Sequence, residues 1–339
     1  MSFKETLIGN VPENEADGWD LLLHYFEPLA QYYADPEVTE ILVNRFDHIL
    51  VERNNKMEVC ETTFGDENAL QKLMIQIANR LHQRLDDDHP ILDARFPDGS
   101  RACCTLPSVS PYGATMTLRI APRRLLTFDD LVEKGSLTQE MVDFLREKVA
   151  GAANMLVSGN TGSGKTTVLR AAAAFVDKGE RVITAEDTQE LHLGKMLPNC
   201  LPMEAPKRKT DFPVTLATLI KTMLRQRPDR GWVGEIRDGE AADAFLQLLN
   251  TGHTGCASSL HANSCEDAIA RIQYLIATRG GISYELAGRQ VLGSVQLLVH
   301  ASRNYQFGRK ITEICMVEDG VVKPVFRFND ATGQHERVG

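Results

Sequence analysis

The sequence predicts an α/β protein with an N-terminal α+β domain, followed by a domain with a mainly parallel sheet and a C-terminal hairpin. The chain has 339 residues, which at about 150 residues per domain suggests two domains. Helical and strand-like patterns mix in the first third, whereas strand-like runs alternate with helical segments after residue 135. We therefore expect an N-terminal domain at 1–120, a linker with a short helical segment at 121–135 and a second domain at 136–339.

The first third is expected to begin with a loose polar arm at 1–18. Apolar residues then recur at helical spacing from Leu22 to Tyr33, and a stronger amphipathic helix follows Asp66, its predicted N-cap. Asn54-Asn55 is expected to form a turn. The predicted strands of this part are 41–44, 49–52, 57–60, 101–106 and 114–120.

The second part of the chain alternates between the two patterns, which is typical of a parallel sheet with helices on both faces. Asp319-Gly320 marks a terminal hairpin. The strand-like runs are 155–157, 181–185, 232–233, 255–260 and 295–299, and the helical segments are 164–176, 215–226, 239–249 and 265–278.

Composition excludes several classes of protein. Hydrophobic residues make up 43% of the chain, which excludes disorder as its main state. The formal net charge is −9, which argues against passive coating of DNA. No apolar run approaches the roughly 18 residues that span a bilayer, and the N-terminus lacks the apolar stretch of a signal peptide. Seven cysteines without CxxC pairing favour a reduced, cytoplasmic protein over a disulfide framework or a zinc site.

A phosphate-binding loop is the most specific motif in the chain. Residues 159–166 match G-x-x-x-x-G-K-[ST] at every fixed position, after a predicted strand and before a predicted helix. Lys165 is expected to reach the β- and γ-phosphates of a nucleotide, and the Thr166 hydroxyl to bind Mg²⁺. The expected nucleotide-binding residues are Gly159, Asn160, Thr161, Gly162, Ser163, Gly164, Lys165, Thr166 and Thr167.

Acidic and histidine residues follow other predicted strands of the same domain. Ligands bind at the carboxyl ends of the strands in such sheets, so these side chains are candidates for the chemistry. The alternative interpretations are a solvated acidic loop and packed or surface histidines. The candidates are Glu186, Asp187, Glu190, Glu235, His253 and His261.

In this order and spacing the segments resemble the traffic ATPases of type II and type IV secretion. The resemblance extends over about residues 30–315 and includes an acidic box (186–191), an atypical Walker B (234–237), a histidine box (251–263) and N-terminal segments at 34–44, 51–53 and 93–101. The chain is similar to two branches of this family. One is the conjugation branch, with VirB-type and TrbB-like members, and the other is the CpaF-like tight-adherence pilus branch. A tetracysteine insert and a long N-terminal extension are missing, which favours type IV secretion.

The resemblance implies a homo-hexameric ring of subunits with a RecA-like C-terminal ATPase domain that uses ATP and Mg²⁺. It implies that Glu190 polarises the attacking water, that Glu235 lies near the Mg²⁺ held by Thr166, and that His261 senses the γ-phosphate. Glu186 stays open as the alternative to Glu190.

Two arginines of the first domain are further candidates. If the hairpin formed by 101–106 and 114–120 is symmetric about Ser110, Arg101 lies opposite Arg119. Like charges so placed destabilise a sheet unless an anion lies between them. We expect either a phosphate clamp, within a subunit or across the ring, or two solvated arginines in an asymmetric hairpin. Arg95 is a third candidate, and the basic segment 207–209 is expected to be an exposed loop.

The sequence therefore predicts a cytoplasmic ATPase that powers transport or assembly through inner-membrane components of a secretion machine, with peripheral membrane association and no direct specific nucleic-acid ligand. One alternative is a pilus-assembly motor with the same chemistry. A second is a RecA-like DNA-translocating helicase, against which the acidic charge argues. A third is a small-molecule P-loop kinase.

Overall fold

The computed structural model describes residues 3–9, 11–12, 16–53, 56–206, 212–304 and 306–339, which form two compact units, Met1–Arg124 and Leu125–Gly339. The predicted Asn54-Asn55 turn and the basic segment 207–209 lie outside the described residues. Among the described helices, none combines the length and the apolar character that crossing a bilayer requires.

The first unit contains an antiparallel sheet of six strands among its described residues, in the order β3-β2-β1-β6-β5-β4. Its helices are α1 (Phe3–Ile8), α2 (Asp20–Phe26), α3 (Ala30–Ala34) and α4 (Glu67–Arg80). Its strands are β1 (Val38–Arg45), β2 (His48–Arg53), β3 (Lys56–Val59), β4 (Ile91–Arg95), β5 (Arg101–Thr105) and β6 (Thr115–Arg119).

Packing in the first unit follows the alternation of its strands and the apolar stripe of its helices. The side chain of Asp66 accepts a hydrogen bond from the Ala69 backbone N–H, so the predicted N-cap of α4 is confirmed. The expectation of a loose arm is wrong for its described part, because α1 buries Leu7 completely against the core of this unit. The segment has too few apolar residues for a helical period to be visible in the sequence.

The second unit is built on a mixed sheet of nine strands among its described residues, in the order β15-β14-β13-β12-β7-β11-β10-β8-β9. The six strands from β12 to β9 run parallel, and β13 to β15 extend the sheet antiparallel. The strands are β7 (Met155–Gly159), β8 (Val182–Glu186), β9 (Cys200–Glu204), β10 (Arg230–Ile236), β11 (Ala257–Leu260), β12 (Leu297–Asn304), β13 (Gly308–Glu318), β14 (Val321–Asn329) and β15 (Gln334–Arg337).

Helices cover both faces of this sheet, because consecutive residues of its buried strands point to opposite sides. Leu156 packs into one core and Val157 into the other. The helices are α5 (Phe128–Glu133), α6 (Gln139–Ala150), α7 (Lys165–Ala172), α8 (Leu216–Met223), α9 (Gly239–Asn250), α10 (Cys265–Arg279) and α11 (Tyr284–Ser294).

Several boundaries differ from the sequence-based expectation. The second unit begins at Leu125, and α5 lies inside the segment expected to be a linker, where Thr127 and Asp130 form a capping box. The sequence analysis did not predict the strands β4, β9 and β15, which have four or five residues each, or the longer helices α6 and α11. The predicted hairpin at Asp319-Gly320 is confirmed and joins β13 to β14.

Candidate functional site

The candidate site lies at the carboxyl ends of three neighbouring parallel strands. Ser158 of β7, Leu260 of β11 and Ile236 of β10 are side by side in the sheet. The segments that follow or end these strands therefore meet at one edge, as expected for ligand sites in α/β sheets. They are the phosphate loop, the His261 segment and the Glu235 segment.

The phosphate loop wraps tightly between β7 and α7. A Cβ at Gly159 would lie 2.1 Å from the carbonyl oxygen of Ala301, so only glycine fits where the loop leaves the sheet. The buried Ser163 hydroxyl has no hydrogen-bond partner among the described residues, and α7 begins at Lys165 with its free N–H groups toward the loop. These features fit a phosphate group, which would satisfy the donors and match the positive end of the helix.

Lys165, Glu235 and His261 converge on one another beneath this loop. Lys165 Nζ lies 3.4 Å from Glu235 Oε1 and 3.3 Å from His261 Nδ1. His261 Nε2 lies 3.3 Å from the same Glu235 oxygen. Lys165 Nζ also donates to the carbonyl oxygens of Gly159 (3.0 Å) and Asn160 (3.3 Å), so the lysine is held against its own loop.

The charges of this cluster support one another although each side chain is partly removed from water. Burial lowers the pKa of Lys165, and the Glu235 carboxylate opposes that shift. Burial alone would raise the pKa of Glu235, but the hydrogen bond from Arg237 and the charge of Lys165 hold it below its ordinary value. Arg237 Nε donates to Glu235 Oε2 at 2.6 Å. The carboxylate is thus ionised at neutral pH, as a metal ligand must be.

Glu186 and Glu190 of the acidic box lie in different environments. Glu186 is 2% exposed, and its Oε2 accepts the backbone N–H groups of Glu190 (2.7 Å) and Leu191 (2.9 Å). Gly234 leaves room for it, because a Cβ there would lie 3.1 Å from Glu186 Cγ. Glu190 is half-buried, and its charge acts on both Lys165 and Arg237. Glu186 therefore shapes the loop, while Glu190 faces the cationic groups.

Arg170 and Arg309 also hold the site, and the sequence analysis did not single them out. Arg170 of α7 is 5% exposed and donates to the Glu190 carbonyl oxygen at 2.9 Å. Arg309 Nε donates to the Gly162 carbonyl oxygen at 2.8 Å, and Arg309 pairs with Arg303 across β12 and β13. The sequence signal that could have identified Arg309 is its pairing with Arg303 on either side of a hairpin. Only the order of the strands in the sheet, however, places that hairpin beside the phosphate loop.

The two histidines of the histidine box lie at different ends of the sheet. His253 precedes β11 and hydrogen-bonds through Nδ1 to the Thr251 hydroxyl at 3.0 Å. His261 follows β11, and a four-residue strand is about 13 Å long. The structure therefore brings His261 to the phosphate loop and leaves His253 beside Asn154, at the amino ends of the strands.

In the first unit, Arg101 lies directly opposite Arg119, and Arg95 lies opposite Arg101. The symmetric register predicted for this hairpin is confirmed. Arg119 is largely exposed and lies 4.0 Å from the carboxylate of Glu40, its neighbour on β1. An acidic neighbour thus offsets part of the repulsion in this row of arginines.

Glu186 generates a pH-dependent prediction. Burial raises the pKa of Glu186 from 4.5 to about 7, so the folded chain holds this proton more tightly than the unfolded chain. Stability should then fall as the pH rises from about 4.5 to about 7. Glu186→Gln removes that loss. Its free energy of unfolding, measured with urea, should therefore rise relative to that of the wild type by up to about 3 kcal/mol as the pH increases across this window. A difference that stays constant with pH would contradict the assignment.

Known proteins resemble this chain over most of its length. The family described as "Type II/IV secretion system protein" matches residues 24–318. An uncharacterized protein of Methanocaldococcus jannaschii, MJ0781, is 35% identical over 258 residues, which cover 70% of this chain and only 36% of that relative. The type IV secretion system protein VirB11 of Brucella suis is 32% identical over 322 residues, which cover 86% of this chain and 88% of VirB11.

The fold has a close counterpart among solved structures. The Legionella pneumophila ATPase DotB has a TM-score of 0.64, with 16% identity, over 87% of this chain and 81% of DotB. The predicted fold class, an α+β part followed by a RecA-like part, is confirmed. Because the family match and the VirB11 match both span most of its length, the chain belongs to the type II/IV secretion system protein family.

Proposed function

We propose that the chain is a Mg²⁺-dependent ATPase of a type IV secretion system, and that ATP hydrolysis powers transport or assembly by that system. The convergence of Lys165, Glu235 and His261 beneath the phosphate loop supports this proposal most directly. Phosphoryl transfer needs neutralised charge and an oriented water more than it needs covalent chemistry. A cation, a carboxylate and an imidazole around one phosphate position are suited to that task.

The proposed roles follow from the surroundings of each residue. Lys165 binds the β- and γ-phosphates, since its Nζ is already aimed at the loop carbonyls. Glu190 orients the attacking water, while Glu186 positions the backbone of Glu190. His261 contacts the γ-phosphate from the end of β11. Mg²⁺ bound by the Thr166 hydroxyl and Glu235 would neutralise phosphate charge.

The assembly and location remain part of the proposal. We propose a homo-hexamer, located in the cytoplasm and attached to the inner membrane through components of the secretion machine. VirB11 is named as a type IV secretion protein, and its similarity over 86% of this chain supports this assignment over the pilus and helicase alternatives. Strong stimulation of ATP hydrolysis by single-stranded DNA would instead favour a DNA translocase.

The nucleotide site is tested with Lys165→Ala in the full chain. Loss of the main cation on the phosphates should abolish ATP turnover and weaken nucleotide binding. Lys178→Ala, an exposed lysine of the same unit, is the control and should behave like the wild type. Hydrolysis and fluorescent-nucleotide binding are measured for all three proteins. Wild-type turnover by Lys165→Ala would refute the site.

Glu190 and Glu186 are distinguished by their glutamine variants. Glu190→Gln should keep ATP binding and lower kcat by about 10²–10⁴, because an amide cannot accept a proton from water. Glu186→Gln keeps an oxygen for the two backbone N–H groups and should lower kcat far less. The reverse order of the two effects, measured by steady-state hydrolysis, would exchange the roles.

The arginine pair of the first unit is a separate proposal, in which positive charge stabilises the transition state of hydrolysis. Arg119→Ala should then lower kcat by about 10³–10⁵ with a modest loss of ATP affinity. If the arginine acts across subunits, mixing Arg119→Ala with Lys165→Ala subunits should restore some activity. Wild-type kcat in both Arg101→Ala and Arg119→Ala would leave these side chains as surface charge.

A further inference from the structure

Two cysteines and a glutamate meet in the second unit, in a cluster that shares no residue with the candidate site described above. The sulfur atoms of Cys265 and Cys315 and one carboxylate oxygen of Glu313 all lie within 4.8 Å of one another. Cys265 is the first residue of α10, whereas Glu313 and Cys315 lie two residues apart on β13. The cluster therefore joins a helix terminus to one face of a strand.

The cluster is a built pocket for donor atoms. Cys265 is 1% exposed and Cys315 is 3% exposed, and their sulfur atoms lie within 4.8 Å of each other. Glu313 Oε2 accepts the backbone N–H of Cys265 at 2.9 Å, which orients the carboxylate toward the sulfurs. The side chain of Glu313 is 24% exposed, so the cluster is reached from solvent through the carboxylate. Such outer hydrogen bonds fix the ligands of metal sites.

We propose that Cys265, Cys315 and Glu313 bind a zinc-like divalent cation, with water in the fourth position. Zinc prefers sulfur, nitrogen and carboxylate ligands in a tetrahedral arrangement. A tetrahedral ion with Zn–S bonds of about 2.3 Å holds its sulfurs about 3.8 Å apart, so side-chain shifts of about 1 Å close the site. Spacing along the chain conceals this site, because the two cysteines are fifty positions apart. The expectation of no zinc site rested on that spacing.

Charge and proton balance are consistent with this cation. Binding replaces two S–H bonds by two metal–sulfur bonds and releases two protons to solvent. Two thiolates and one carboxylate carry three negative charges against the two positive charges of the ion. The N-terminus of the 15-residue helix α10 and Arg327, whose Nε lies 3.9 Å from Glu313 Oε1, favour the remaining negative charge.

The cation would tie the start of α10 to the nucleotide side of the sheet. Cys265 follows His261 by four residues. The carbonyl oxygen of Ser264 accepts a hydrogen bond from Ser158, the residue before Gly159, at 3.3 Å. Glu313 is the register partner of His300, whose Nδ1 lies 2.8 Å from the same Ser158 hydroxyl. Cation binding would stabilise the base of the phosphate loop without touching the nucleotide.

The test is titration of the reduced, nucleotide-free full chain with Cd²⁺ and then Zn²⁺. The wild type should bind one equivalent of Cd²⁺ with sulfur-to-cadmium absorption, and a large excess of Zn²⁺ should lower that absorption by competing for the same thiolates. Cys265→Ala and Cys315→Ala should lose that absorption, and Glu313→Gln should weaken binding by at least about tenfold. Cys256→Ala, which removes a buried cysteine of the same unit outside the cluster, is the matched control and should bind like the wild type.

Three outcomes would overturn the proposal: a folded wild type without sulfur-to-cadmium absorption, absorption that persists in both cysteine variants, and equal loss in Cys256→Ala. If the cysteine variants do not fold by circular dichroism, cadmium NMR of the wild type decides instead. A chemical shift that reports two sulfur ligands supports the site, and one that reports oxygen ligands alone excludes it. Binding is read without ATP, so the result is independent of the ATPase proposal.

Discussion

The ion pair between Lys165 and Glu235 is the interaction on which the candidate site depends. Lys165 is 7% exposed, and an unpaired ammonium group buried at this position would carry a large free-energy penalty. Glu235 supplies the opposite charge at 3.4 Å, and Arg237 keeps that carboxylate ionised. A phosphate entering the loop would take over the role of Glu235 as partner of the lysine and free the carboxylate to face a metal ion.

Around this pair, other side chains hold the backbone of the site in place. Glu186 and Arg170 both hold the segment of Glu190, one through its N–H group and one through its carbonyl oxygen. Arg309 holds the phosphate loop in the same way through Gly162. Hydrogen bonds of this kind fix the position of backbone segments before a ligand binds, which lowers the entropic cost of binding.

Regular sequence patterns predicted most of the fold. The alternation of apolar runs identified five of the six parallel strands, and the hairpin at Asp319-Gly320 and the cap at Asp66 were predicted from local chemistry. The helix α1 and the strands β4, β9 and β15 were missed, because each is too short to establish a period. Their stability comes from tertiary packing, as the full burial of Leu7 illustrates.

The sequence by itself determined the phosphate loop, because its glycines, lysine and threonine act through local backbone geometry at fixed spacing. It allowed the register that pairs Arg101 with Arg119, but the structure decided between the symmetric and the asymmetric hairpin. Only the tertiary structure decided which distant residues meet. Strand order brings His261 and Glu235 to Lys165, leaves His253 at the other end of β11 and joins Cys265 to Cys315. Contacts of this kind depend on how strands are ordered across a sheet, which no spacing along the chain records.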